Sequence, residues 1–365
     1  MIVKRKLTVL LGLVLTTMFF SACGASGAAL AANQQPGQPE ISNTGVEINP
    51  MTIRFGHTGP NDSSDLIQHG AEAFARRVQE LSDGAMRVQI YPASQLGNID
   101  DIIEMLQQGQ LHMGDIENAP LTSVVPETVW IDLPYIIQSY DHAMAVMDAG
   151  SEVSRWIRPL FVDNGLRVLG VAHGGFRHMF NNVRPIHHPD DMYGLLMRSM
   201  ASPAMFQSML AFGSEAVLIP LADLHGALGR GDADGWENAF SLAYSMSFYE
   251  VQRYLSLTGH FYNPRNYIFS ESLWQQMTPA QQLIVLDATE YATTRMNQHL
   301  FSVQEILFQN LVNNGMIANE LSSADLQAFR ERGTTIVWPM FYEAIGSGSE
   351  ARGRVILEMI MSYAQ

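Results

Sequence analysis

Gly194-Leu195-Leu196-Met197-Arg198 opens, and Gly231-Asp232-Ala233-Asp234-Gly235-Trp236-Glu237-Asn238 closes, the stretch on which the reading of this chain turns. A Pro189-Asp190-Asp191 turn and Gly194 lead into a nearly continuous apolar run, the pattern of a short buried strand. By the two-residue period Leu196 and Arg198 share one face, and Met197 points the other way. Arg198 then stands at the end of a buried strand, just before Ser202-Pro203, a good helix start. In open α/β sheets ligands bind beyond the carboxyl ends of strands. A guanidinium placed there is a planar fork that clasps a carboxylate through two parallel hydrogen bonds. The plain alternative is a surface arginine with its stem laid along apolar neighbours.

Working outward, strand alternates with helix. Residues 51–55 alternate as a strand, and the polar loop 56–62 follows. Ala71, Phe74, Ala75, Val78 and Leu81 then recur at helical spacing. Met86–Tyr91 is a second strand, 102–106 a helix, and 111–116 a third strand that delivers Glu117 at its end. A second cycle starts with a strand over 166–172, ending in the turn His173-Gly174-Gly175-Phe176-Arg177. The helical run after Arg198 ends in glycines and acids and offers Glu237-Asn238 at another loop. Thr278-Pro279 begins the longest helix, which stops at Gly315. At about 1.5 Å per residue it is a rod of roughly 50 Å, long enough to span two domains. The alternation predicts an α/β fold built from βαβ units.

Composition narrows the function. The 365 residues are 47% hydrophobic, which suits a soluble chain with a sizeable core. Residues 1–22 are set apart as a secretory signal: Lys4, Arg5 and Lys6, an apolar run over 7–20, then Ser21-Ala22-Cys23-Gly24. Cys23 is the single cysteine, placed as in the lipobox of bacterial lipoproteins, with Phe20 departing from the usual leucine. Lipidation at Cys23 would anchor the protein to the membrane on its extracytoplasmic side. Residues 23–50, poor in apolar side chains, read as a flexible tether. Removing the signal moves the formal charge from −15 to −18 and takes away both lysines. That excludes Schiff-base and Walker-type lysine chemistry. So acidic a chain is also a poor partner for nucleic acid. An anion would have to be bound by a few arginines that focus positive potential against the overall field.

Glu117, Arg177, Arg198 and Asn238 each follow a predicted strand or glycine-rich turn. Two guanidiniums, an amide and a carboxylate together can read a small organic acid with hydroxyl groups. His57, Thr58 and His173 complete the candidate set, with Trp236, which either packs on a ligand or belongs to the core. Eleven histidines include no metal-binding spacing, and no dinucleotide or nucleophile-elbow motif is present, so neither metal nor cofactor is expected. Glu117 and Glu237 could alternatively form the acid pair of a secreted hydrolase. A ligand-sensing lipoprotein that reports to a receptor is a third reading.

Several short motifs carry a family resemblance. They are Phe55-Gly56-His57, Tyr91-Pro92 with Gln95-Leu96-Gly97, Leu133-Pro134-Tyr135, Gly194-x-x-x-Arg198, Asp234-Gly235-x-Glu237-Asn238, and Phe248-Tyr249-Glu250-Val251-Gln252-Arg253-Tyr254. In order and spacing the chain resembles the extracytoplasmic solute-binding subunits of tripartite ATP-independent periplasmic (TRAP) transporters, the DctP-type family. The resemblance implies a two-domain periplasmic-binding-protein-like fold with an interdomain cleft and the long helix crossing both domains. The expected divisions are 51–174 plus 264–304 for the first domain and 175–263 plus 305–365 for the second. It further implies that Arg198 forms the carboxylate salt bridge, assisted by Arg177 and Asn238. Glu117 falls where some members direct an acid at hydroxyl or amine groups. Members that bind sialic acid carry an arginine three residues after that acid, where this chain has Pro120. The implied partners are an organic acid anion, with a uronate or hydroxy acid favoured over a dicarboxylate, and the small and large TRAP membrane subunits.

Overall fold

The structure, a computed structural model, describes residues 48–364, which fall within one compact unit. The expected signal, Cys23 and the tether up to residue 47 lie outside the described residues. No described helix is long and apolar enough to cross a membrane.

Nine described strands form one sheet: β1 (Met51–Gly56), β2 (Met86–Tyr91), β3 (Met113–Glu117), β4 (Leu166–Asn181), β5 (Leu196–Ser199), β6 (Glu215–Leu218), β7 (Gly235–Asn238), β8 (Tyr254–Ser270) and β9 (Ile317–Glu320). Their order is β2-β1-β3-β8-β4-β7-β5-β6, with β9 added to β8. The βαβ units of each half make parallel pairs, β1 with β2 and β3, and β5 with β6 and β7. Between the halves run β4 and β8, antiparallel and 16 and 17 residues long. At about 3.4 Å per residue each reaches some 55 Å, enough to serve both halves.

Two expectations are corrected here. The strand over 166–172 does not end at the Gly174-Gly175 pair. The backbone bulges there, shifting register between His173 and Phe176 with Gly175 at φ 103°, and then continues to Asn181. Arg177 therefore projects from the middle of a strand rather than from a turn. Likewise Glu237-Asn238 closes strand β7 instead of lying in a loop.

The long helix runs Pro279–Asn313, with Thr278 and Gln281 forming a capping box at its start. Near its start Ile284, Val285, Ala288, Ala292 and Met296 pack with Phe74 and Val78 of helix Leu66–Leu81 and with Phe55 and Tyr267 of the sheet. Near its far end Leu311 enters a different core, with Phe180, Trp236, Phe248 and Leu255. One rod thus ties together the cores of both halves. The methionines around Arg198 (Met192, Met197, Met205 and Met209) fill a further core beneath β5.

Candidate ligand-binding site

Strand register assembles the site. β7 lies between β4 and β5, with His178 opposite Asn238, Met179 opposite Glu237, and Met197 opposite Gly235. Only glycine fits at 235, because a Cβ there would stand 2.2 Å from the Phe180 carbonyl oxygen. This close approach sets Arg177, Glu237-Asn238 and Arg198 on three neighbouring strands. On the other half, β3 and β8 pair Glu117 directly with Arg265.

Three arginines are buried among the described residues, and they differ in their partners. Arg177 donates from Nη2 to Glu237 Oε1 at 2.8 Å and to the Glu237 carbonyl at 3.0 Å, and from Nε to Oε2. Burial works against its charge, but Glu237 outweighs it and holds the guanidinium above its ordinary pKa. Its Nη1, also buried, has no hydrogen-bond partner. Arg265 donates to Asp115 Oδ1 and to Glu117 Oε1, both at 2.7 Å. Burial pushes the Asp115 carboxyl up to about 6 against the pull of Arg265. Arg198 is different. Its Nε donates to the Ile219 carbonyl at 2.8 Å, and it forms no salt bridge with any described carboxylate. Burial draws its pKa down to about 10, which leaves it a cation at neutrality with its charge uncompensated at contact distance.

Glu117, Arg265, Asn238, Asn263, Ser241 and the start of helix Leu66–Leu81 enclose one cavity. Asp65 lines it as the N-cap of that helix, accepting from the backbone N–H of Ile67 and Gln68. The volume is about 20 Å³, room for about one water.

Of the predicted residues, the structure brings together Glu117 and Asn238 at this cavity, while Arg177 and Arg198, on the strands flanking β7, are not among the residues lining it. The others sit elsewhere. His57 is fully buried with Nε2 2.9 Å from Gln68 Oε1, Thr58 is half-buried in the next loop, and neither lines the cavity. His173 bonds Tyr262 through Nδ1 at 2.6 Å and is held within strand β4, while its neighbour Gly174 lines the cavity. Trp236 does not line the cavity. It is fully buried between Phe180 and Phe248, with ring centroids 5.4 and 3.9 Å away, so the core reading of this residue holds. Glu117 and Glu237 are each committed to a different arginine, Arg265 and Arg177.

Arg265, Asn263 and Asp65 went unread in the sequence. Asn263-Pro264-Arg265 lies within β8, where burial on both faces erases alternation and a proline interrupts the strand pattern. The signal for Asp65 was legible, an N-cap residue directly ahead of the apolar helix.

Residues 55–344 match the family described as bacterial extracellular solute-binding protein, family 7 (DctP). A solute-binding protein of Verminephrobacter eiseniae is 30% identical over 247 residues, which is 68% of this chain and 70% of that one. Among solved structures, the sugar acid binding protein of Advenella mimigardefordensis in complex with galactonate superposes with a TM-score of 0.79 at 26% identity, covering 87% of this chain and 99% of that one. A TRAP periplasmic solute-binding protein of Sulfurospirillum deleyianum with bound succinate gives 0.78 at 27% identity, covering 86% and 99%.

Proposed function

The chain belongs to the bacterial extracellular solute-binding protein family 7, and from that membership we propose that it captures a hydroxyl-bearing monocarboxylate and hands it to TRAP membrane subunits. One observation carries the choice of ligand. Of the three buried arginines, Arg177 and Arg265 are each matched by carboxylates, and Arg198 alone keeps its charge uncompensated at contact distance. A single carboxylate satisfies Arg198, assisted by the unpartnered Nη1 of Arg177 and by Asn238. A second carboxylate would meet Glu117 and Asp65, and the one cation among the residues lining the cavity, Arg265, is already paired, so that carboxylate would be left as an unpaired buried charge. Hydroxyls suit that end of the cleft, where Glu117 accepts and Asn263 can donate or accept. Galactonate in one relative fits this reading, and succinate in another is the competing one.

Calorimetry with galacturonate, galactonate, small hydroxy acids and succinate tests it. The polyhydroxy acids should bind more tightly than succinate, and Glu117→Gln should change their order while leaving carboxylate capture intact. Tightest binding of succinate, unaltered by Glu117→Gln, overturns the ligand class.

The carboxylate contact comes from Arg198 on one half and the hydroxyl contacts from Glu117 on the other, so the halves part for entry and close on the acid. The hinge is taken at the expected divisions, 51–174 plus 264–304 against 175–263 plus 305–365. Gly174 packs on Asn263 there, and a Cβ would stand 2.8 Å from the Asn263 carbonyl. Solution scattering should differ with and without saturating ligand. The sequence pattern around Cys23 further supports a lipid anchor, and Cys23→Ala should then abolish membrane retention.

A further inference from the structure

A second and larger cavity, about 380 Å³, shares Ser241 with the first and is lined by Phe176 and His178 of β4 but not by Arg177 between them. Strand alternation turns Phe176 and His178 toward it while Arg177 points to Glu237. Its walls are aromatic. His178 stacks on Phe240 at 4.6 Å and 14°, and Phe176 meets Tyr140 edge-on at 5.0 Å. Leu300 and Leu307 of the long helix complete the apolar lining. At the rim Arg330 lies over the Tyr135 ring, 5.5 Å from its centroid, exposed and in no salt bridge with any described carboxylate.

We propose that this cavity is a second ligand site, taking a flat aromatic monocarboxylate whose binding biases the opening of the two halves. The volume falls in the range of small-molecule pockets, about 300–1,000 Å³. Aromatic walls accept a flat ring face-on or edge-on. Arg330 supplies the fork for its carboxylate, and in so acidic a chain a cation without a carboxylate partner favours an anion locally. The walls include the irregular part of the hinge: the register shifts after His173 and Arg177, with Gly175 at φ 103° and Gly259 at φ 52°. They also draw on segments from both expected domains, such as Tyr140 on one side and Phe240 on the other. Rotation of the halves must change such a cavity, so a ligand that prefers one state shifts the equilibrium, and the effect is reciprocal. The coupling, though not the site, rests on the closure proposed above.

The test uses indole-3-acetate as the probe in calorimetry on the full chain. Saturable binding by the wild type is expected, weakened about tenfold in Arg330→Gln, which removes an exposed charge without touching the core. Leu307→Trp fills the cavity and should abolish probe binding, with circular dichroism and the thermal midpoint confirming its fold. Arg198→Met should leave probe binding unchanged. Saturating galacturonate should alter the probe's Kd by about fivefold or more. Absence of saturable wild-type binding overturns the site, as does binding that survives both Leu307→Trp and Arg330→Gln but is lost in Arg198→Met. An unchanged Kd with galacturonate bound overturns the coupling. Because the probe arm needs no acid ligand, its failure is separable from failure of the acid-binding reading.

Discussion

Arg177 and Glu237 form a two-pronged ion pair, 2.8 Å from Nη2 to Oε1, with neither side chain more than 1% exposed. The pair joins the central strand β4 to β7 and fixes the Glu237 side chain beside Asn238. Arg198, on the next strand but one from β4, has no such partner. Two buried arginines in one neighbourhood thus carry opposite energetic consequences.

Glu237→Gln removes the negative partner and strands the Arg177 charge in the interior. A loss of about 3–5 kcal/mol in urea unfolding is expected, the usual scale for breaking one side of a buried pair. Replacing both, Arg177→Met with Glu237→Leu, should recover most of that stability while acid binding stays impaired.

Arg198→Met should act the other way on stability. Relief of an unpaired buried charge should leave the ligand-free thermal midpoint unchanged or raise it. The same variant should lose about 100-fold or more in affinity for every acid tested, because a charge-assisted bidentate contact is gone. Arg198→Lys should restore only part, since an ammonium cannot reproduce the fork.

Stability should fall between pH 7 and pH 5. Burial lowers His57 and His173 to about 4 and His260 well below its ordinary value. Groups depressed in this way favour the fold fully above about 6.5, and the benefit fades as pH drops toward 4. Burial raises Asp115 and Asp132 to about 6, and their protonation on acidification favours the fold instead. Burial also lowers His112 and His178 to about 4, so even with Asp65 raised alongside Asp115 and Asp132 the depressed histidines outnumber the raised acids and stability is expected to be lower at pH 5. Urea midpoints at the two pH values measure it, and His57→Gln should flatten the difference.

Gly235→Ala should destabilise by about 1–3 kcal/mol, the range for forcing atoms into a packed interior. The added Cβ faces the Phe180 carbonyl at 2.2 Å, so β7 must move off β4 and carry Glu237-Asn238 with it. Acid affinity should drop together with the unfolding midpoint, which separates this residue from Arg198.

The sequence alone determined what rests on local periodicity and on caps. The strand carrying Arg198, the alternating units at the start of the chain and the rod that begins at Thr278-Pro279 were legible because each is written within a few turns or pleats. Glu117, Arg177, Arg198 and Asn238 could be picked out for the same reason, as charged or polar residues next to short apolar runs. Tertiary structure decided the rest. β8 is buried along most of its length, so it shows no alternation, and Arg265 inside it could not be told from any other arginine. Whether Arg177 and Arg198 face a ligand or a neighbour depends on the register that sets Glu237 beside one and not the other. Trp236 was undecided between ligand and core because a residue's own sequence neighbourhood does not say which face of a strand the other half of the chain will cover. Pairings of that kind join residues 60 to 150 positions apart, and only the folded sheet brings them within a hydrogen bond.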